Sequence, residues 1–138
     1  MSPYLKPLPK IDDLSRPYWD FARRHVLSVQ HCPNCGHHQF PPGPVCSECL
    51  SEPLTWKPVS GRATLVSWAE FHRAYWNSFA DDIPYNVAVV RLDEGPLLVS
   101  NLVPSLAAQP ERLRQGLRLK AVFDDVTPDI SLVRFTEA

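Results

Sequence analysis

Apolar positions recur along this chain in more than one rhythm. Tyr18, Phe21, Ala22 and Val26 fall at three- and four-residue steps, the period of one helix face. Ser15 precedes them as an N-cap and Pro17 sits in the first turn, so the pattern predicts a short helix from about Arg16 to His25. Trp19 lies beside the stripe; this helix reads either as packed on its own domain or as an aromatic anchor for another protein. Leu27-Ser28-Val29-Gln30-His31 then alternates as a strand. His38-Gln39-Phe40 can pair back against it, and Leu54 to Val59 predicts a third strand.

Beyond Ser60-Gly61 the rhythm changes. Ala63 to Arg73 is a long extended run with apolar side chains in both registers, which suits a strand that bends. Tyr85 to Leu92 reads as a buried strand. Asp93-Glu94-Gly95-Pro96 is a tight turn that pairs it with Leu97 to Val103. Pro110 to Gln115 predicts one or two helical turns ended by Gly116. Arg118 to Val126 and Ser131 to Phe135 are the last two strands. Three strands, a short helix and two strands is the order of a five-stranded OB barrel.

The expected organisation is an arm and helix over 1–26, a ribbon over 27–59 and an OB domain over 60–138. The fold class is mainly β. Pro3, Pro7 and Pro9 make residues 1–14 an extended arm, either disordered or laid over a partner. Fifteen prolines in 138 residues argue against long helices.

All four cysteines fall in two Cys-x-x-Cys pairs, Cys32/Cys35 and Cys46/Cys49, ten residues apart. Each such turn points two sulfurs to one side of a tight loop, and two turns build a tetrahedral site. Four thiolates close the shell of a zinc ion, leaving no position for water. Iron in a rubredoxin-like site takes the same ligands. A disulfide framework suits a secreted protein, and the start of this chain carries no apolar leader. Gly36 permits a left-handed backbone after the first pair; Leu50 stands in the equivalent place, which predicts a less regular second knuckle. His31, His37 and His38 read as surface or outer residues around the metal.

Charge and chemistry narrow the function. Residues 1–80 carry 8 basic and 6 acidic side chains; residues 81–138 carry 6 and 9. Neither half has the basic field that nucleic-acid binding uses, and no apolar run approaches the roughly 20 residues of a membrane span. A cytoplasmic protein is expected. With the thiols committed to metal, no Gly-x-Ser-x-Gly elbow and no glycine-rich phosphate loop, no catalytic constellation is legible. Phe71 to Phe79 is an aromatic-rich loop that contains His72, Arg73, Tyr75 and Trp76. So many rings on so small a barrel favour a binding surface.

In order along the chain stand Pro17-Tyr18-Trp19, Gln30 to Gly36, Phe40-Pro41-Pro42, Cys46 to Cys49, Val59 to Thr64, Pro84-Tyr85, Leu92 to Pro96 and Ser100 to Val103. This series resembles the DUF35 family. The family often has glycine where Ala63 stands. The resemblance implies a helical N-terminus, a rubredoxin-like zinc ribbon and a C-terminal OB domain. It also implies a thiolase-like protein partner, either a thiolase, an aldolase or an acyltransferase, or a hydratase acting on acyl-CoA. The small subunit would be needed for the partner's activity or solubility and would help hold acyl-CoA. A CoA ligand wants cations for its phosphates; Arg16, Arg23, Arg24, Arg62 and Arg73 are the candidates. The competing reading is an OB-fold and zinc-ribbon module that stacks bases on its aromatics.

Overall fold

The computed structural model describes residues 4–138; Pro3 of the expected arm lies outside the described residues. Helix α1 (Arg16–Arg23) leads into a small sheet of β1 (Ser28–His31), β2 (His38–Gln39) and β3 (Thr55–Pro58), in the order β2-β1-β3. A second sheet holds β4 (Arg62–Phe71), β5 (Tyr85–Leu92), β6 (Leu97–Ser100), β7 (Arg118–Asp125) and β8 (Ser131–Glu137). Its order is β6-β5-β4-β7-β8, antiparallel throughout. The sheet curls into a half-barrel, and its edges approach where Leu102 bridges Phe135 in parallel. Phe135 donates to the Asn101 carbonyl at 3.0 Å, and Val103 to the Phe135 carbonyl at 2.9 Å. This is the OB architecture expected from the strand order.

The bend of β4 has a local cause. Its pairing with β5 shifts between Leu65 and Ser67, so the inward alternation of Ala63 and Leu65 breaks. An extra residue on one strand tightens twist and turns a sheet on itself. The inward side chains of β5, Ala88, Val90 and Leu92, then face Leu119 and Phe135 from the other half of the sheet in one core. Gly61, at φ +79, lets the chain enter β4 close to β7: an added Cβ would stand 3.3 Å from the Ala121 Cβ.

Helix, ribbon and barrel share that core. Tyr18, Leu27 and Val29 belong to the same buried cluster as Leu65, Leu119 and Phe135. Val59 donates to the Leu27 carbonyl at 2.8 Å, and Ser60 to the Glu94 carboxylate at 3.0 Å. The joint between ribbon and barrel is therefore packed, and on either side of it Val59 is bonded into the ribbon and Ser60 into the barrel.

Some elements differ from the sequence expectation. Helix α1 stops at Arg23, and His25 takes φ +60 to turn the chain out of it. Ser15 does not cap the helix with its side chain. Its hydroxyl accepts instead from the Asp12 amide while its own amide donates to the Asp12 carboxylate. A second helix, α2 (Pro104–Ala107), lies where the sequence suggested nothing helical, and the turn near 110 is a 3-10 turn over Pro110–Arg112. Another 3-10 turn, Asn77–Asp82, lies in the aromatic loop. Among the described residues no helix is long and apolar enough to cross a membrane.

Candidate metal centre and aromatic surface

The two knuckles bring all four sulfurs together. Cys32 Sγ lies 3.6 Å from Cys49 Sγ and Cys35 Sγ 3.7 Å from Cys46 Sγ, and all four are within 4.8 Å of one another. A tetrahedron of sulfurs at about 2.3 Å from a zinc ion has edges of about 3.8 Å. The residues fit a Cys₄ metal site, and the separations are far longer than the roughly 2 Å of a disulfide.

The backbone around the sulfurs repeats. In the first knuckle Gly36 donates to the Cys32 carbonyl and Cys32 to the His37 carbonyl. In the second, Leu50 donates to the Cys46 carbonyl and Cys46 to the Ser51 carbonyl. Gly36 has φ +81 and Leu50 φ +62, so the irregularity expected of the second knuckle is not there. Leu50 adopts the left-handed conformation that glycine adopts opposite it, with its side chain 74% exposed. The two turns carry the same backbone hydrogen bonds around their sulfurs, and this arrangement outweighs the side chain's preference.

Polar side chains set the second knuckle in place. Gln30 on β1 accepts from the Gly43 amide at 2.9 Å and donates to the Gly43 carbonyl at 3.0 Å. Gln39 on β2 donates to the Val45 carbonyl and accepts from the Ser47 amide at 2.7 Å. Two buried glutamines thus hold the 43–47 segment as a further strand would. Asn34 reaches across from the first knuckle and donates to Cys49 Sγ at 3.5 Å and to Ser51 Oγ at 3.0 Å. Hydrogen bonds from Ser51 and Asn34 bring the Cys49 thiol down to about 5. The backbone at His37 favours the Cys35 thiolate. Burial and the three neighbouring sulfurs outweigh it and push that thiol up to about 12. Four sulfurs so close together can all be thiolates only with a cation among them.

The aromatic candidates fall into two groups. Tyr18 is only 9% exposed; its ring meets Trp19 edge-on at 4.9 Å and packs on Phe40 at 5.5 Å and Trp56 at 6.3 Å. Burial pushes its hydroxyl up to about 12. Tyr18 and the half-buried Trp19 therefore seal helix to ribbon. The second group lies at the barrel rim. Phe71 meets Tyr75 at 6.3 Å and Tyr85 at 5.2 Å, and Phe79 meets Tyr85 at 5.8 Å. Arg73 lies over the Tyr75 ring at 5.2 Å. Tyr75 and Trp76 are 64% and 62% exposed. His72 faces water 3.6 Å from Glu70. Arg62 is exposed on β4 and lends its charge to Asp93, which Arg118 clamps with two bonds of 2.8 Å. Arg23 lines an open groove of about 660 Å³ with Arg24, Asp20, Asp125 and Ser131.

Three site features were missed from sequence. Tyr85 is the hub of the rim rings. Asn86 bonds both the amide and the carbonyl of Leu102, and Asn101 bonds the Asn86 carbonyl. These bonds brace a cleft of about 590 Å³ beside the aromatic loop, lined in part by Phe79, Tyr85 and Arg134. Two asparagines next to otherwise apolar strands were the available signal. The third feature joins the domain ends: the Ser131 hydroxyl and the His25 ring both bond Asp125, and His25 stacks on Phe123 at 5.2 Å. Here the carboxylate stands between the serine and the histidine. In a nucleophile relay the histidine would stand between them.

Residues 19–55 match the ChsH2 rubredoxin-like zinc ribbon domain, and residues 56–124 the ChsH2 C-terminal OB-fold domain. A probable enoyl-CoA hydratase alpha subunit of Thermomonospora curvata is 29% identical over 134 residues. The match covers 97% of this chain and 40% of that subunit, so the chain spans well under half of it. A DUF35 domain-containing scaffold protein of Pyrococcus furiosus is 30% identical over 106 residues, covering 76% of this chain and 74% of the relative. Among solved structures, a chain of the Ltp2-ChsH2(DUF35) aldolase superposes with a TM-score of 0.81 at 28% identity, covering 94% of this chain and 98% of that one. With these matches over both halves, and with the cysteine cluster and curled sheet that they describe, this chain belongs to the DUF35 family.

Proposed function

We propose that this chain is a non-catalytic accessory subunit of a thiolase-superfamily enzyme, with zinc as the structural metal of its ribbon. It stabilises its partner and helps hold acyl-CoA or the acyl substrate. The observation that carries this reading is the near full-length likeness to the DUF35 chain of an aldolase that also contains Ltp2. The geometry supports it: Tyr75 and Trp76 stand exposed at the rim, rings of the kind that anchor protein interfaces. The cleft lined by Phe79 and Tyr85 gives an acyl chain a place to lie. Arg73 at the loop, Arg62 on β4 and Arg23 on α1 are the cations offered to CoA phosphates, and reduced thiols suit a cytoplasmic setting.

The test is co-expression with the thiolase-like enzymes encoded beside it. Such a subunit should co-purify in stoichiometric amount and lose activity without this chain. Trp76→Ala with Tyr75→Ala should weaken the complex by on the order of thirtyfold or more, since truncating a hot-spot aromatic costs about 2 kcal/mol or more. A lone monomer that binds single-stranded nucleic acid tightly and salt-sensitively would overturn the proposal.

A further inference from the structure

The N-terminal arm meets the barrel with its polarity inverted. Lys6 points inward, its side chain 28% exposed, while the neighbouring Leu5 is 78% exposed. Lys6 Nζ lies 2.5 Å from Asp82 Oδ2, 5.6 Å from the Phe79 ring centroid and 6.0 Å from that of Tyr4. Asp82 and Phe79 both belong to the 3-10 turn Asn77–Asp82, in which no residue is buried. A turn without buried side chains has little of its own to hold it. Tyr4, Lys6 and Pro7 also line the cleft of about 590 Å³, together with Tyr85, Asn101 and Arg134. Pro7 and Pro9 follow the lysine and narrow the paths open to the unbound arm, which lowers the entropy lost when it lies down.

We infer that the N-terminal arm is a strap: Lys6 fastens it over the aromatic loop, covering Phe79 and closing one side of the cleft. Loop and arm then open together. Where the loop is the partner surface, a point that rests on the proposed function, the strap must lift before Phe79 is available. The fastening is one ion pair and one cation–π contact at partly exposed groups, each weak alone. It is thus a latch that thermal motion opens, and its ionic part is screened by salt.

Hydrogen exchange of the full-length chain tests this without any partner. Lys6→Gln and Asp82→Asn should each speed exchange across 77–86 by on the order of fivefold. The double variant should exceed Lys6→Gln by little, because the two changes break one contact. Raising salt should speed exchange of this segment in the parent chain and not in Lys6→Gln. Lys10→Gln, a nearby exposed charge, should leave it unchanged. Parent-like exchange in both single variants overturns the strap. Failure to find a thiolase-like partner overturns the proposed function and leaves the exchange result standing. With the partner in hand, Lys6→Gln should associate faster than the parent; slower association would overturn the covering role.

Discussion

Leu50 is the residue at which local preference and the site conflict most plainly. An L-residue in the left-handed region costs about 1–2 kcal/mol, and glycine escapes the cost. Gly36 and Leu50 occupy the same place in their knuckles, at φ +81 and +62. At Gly36 an added Cβ meets nothing within 4 Å, so a substitution there reports backbone strain alone. Gly36→Ala should therefore destabilise the ribbon by about 1 kcal/mol, read as a lower denaturation midpoint of the metal-loaded chain. Leu50→Gly should move the other way, by up to about 1 kcal/mol, because the exposed side chain has little packing to lose. A destabilised Leu50→Gly would mean that the leucine is held by contacts. The cysteine spacing was enough to pick out the four sulfurs that come together. It did not reveal Leu50's conformation, because that follows from the backbone hydrogen bonds shared by the two turns and not from the residue's own preference.

Among the elements, α1 depends on groups distant in sequence. Its C-terminal end is tied to the barrel through His25, which stacks on Phe123 and bonds Asp125, 100 residues away. The Ser131 hydroxyl and then His25 hold the Asp125 carboxyl below its ordinary value of 3.8. A depressed carboxyl contributes stability that is complete above its unfolded pKa and is lost as pH falls through the folded one. The tie should thus be whole above about pH 4 and fade below it. Asp125→Asn should be less stable than the parent at pH 6, and the gap should close toward pH 2. A gap that stays constant over that range would rule out an ionised Asp125 as the tie. Such contacts explain which elements were legible. β5 and β6 were, because Asp93 to Pro96 marks their turn and a mostly apolar run stands on each side of it. α2 was not: four residues between Val103 and Ala108, with no side-chain cap, carry no helical period. The Lys6 contact and the Asn86–Leu102 bracing join separate segments, and no local periodicity links the partners.

At the scale of the molecule, one core runs through helix, ribbon and barrel, and the metal site stands at its ribbon end. Leu27 and Val29, at the start of the ribbon, are buried with Leu65, Leu119 and Phe135. The ribbon sheet is small, with two ladder pairs joining β1 to β2 and four joining β1 to β3. So small a sheet does not supply a self-sufficient core. Structural zinc contributes roughly 10–16 kcal/mol in small zinc domains at neutral pH, against about 5–15 kcal/mol for the net stability of an ordinary domain. Stripping the metal with a chelator should therefore unfold 27–59. Because the core is shared, the barrel should lose stability with it while keeping most of its sheet. The chain before and after chelation should differ by one metal ion in native mass spectrometry, with amide protection lost first at Val29 and Gln39 and the barrel midpoint lowered. If the ribbon kept its protection in the metal-free chain, the glutamine network and the Tyr18 contacts would be sufficient to hold it. If the barrel were unmoved, the buried contacts of Leu27 and Val29 would not couple the two.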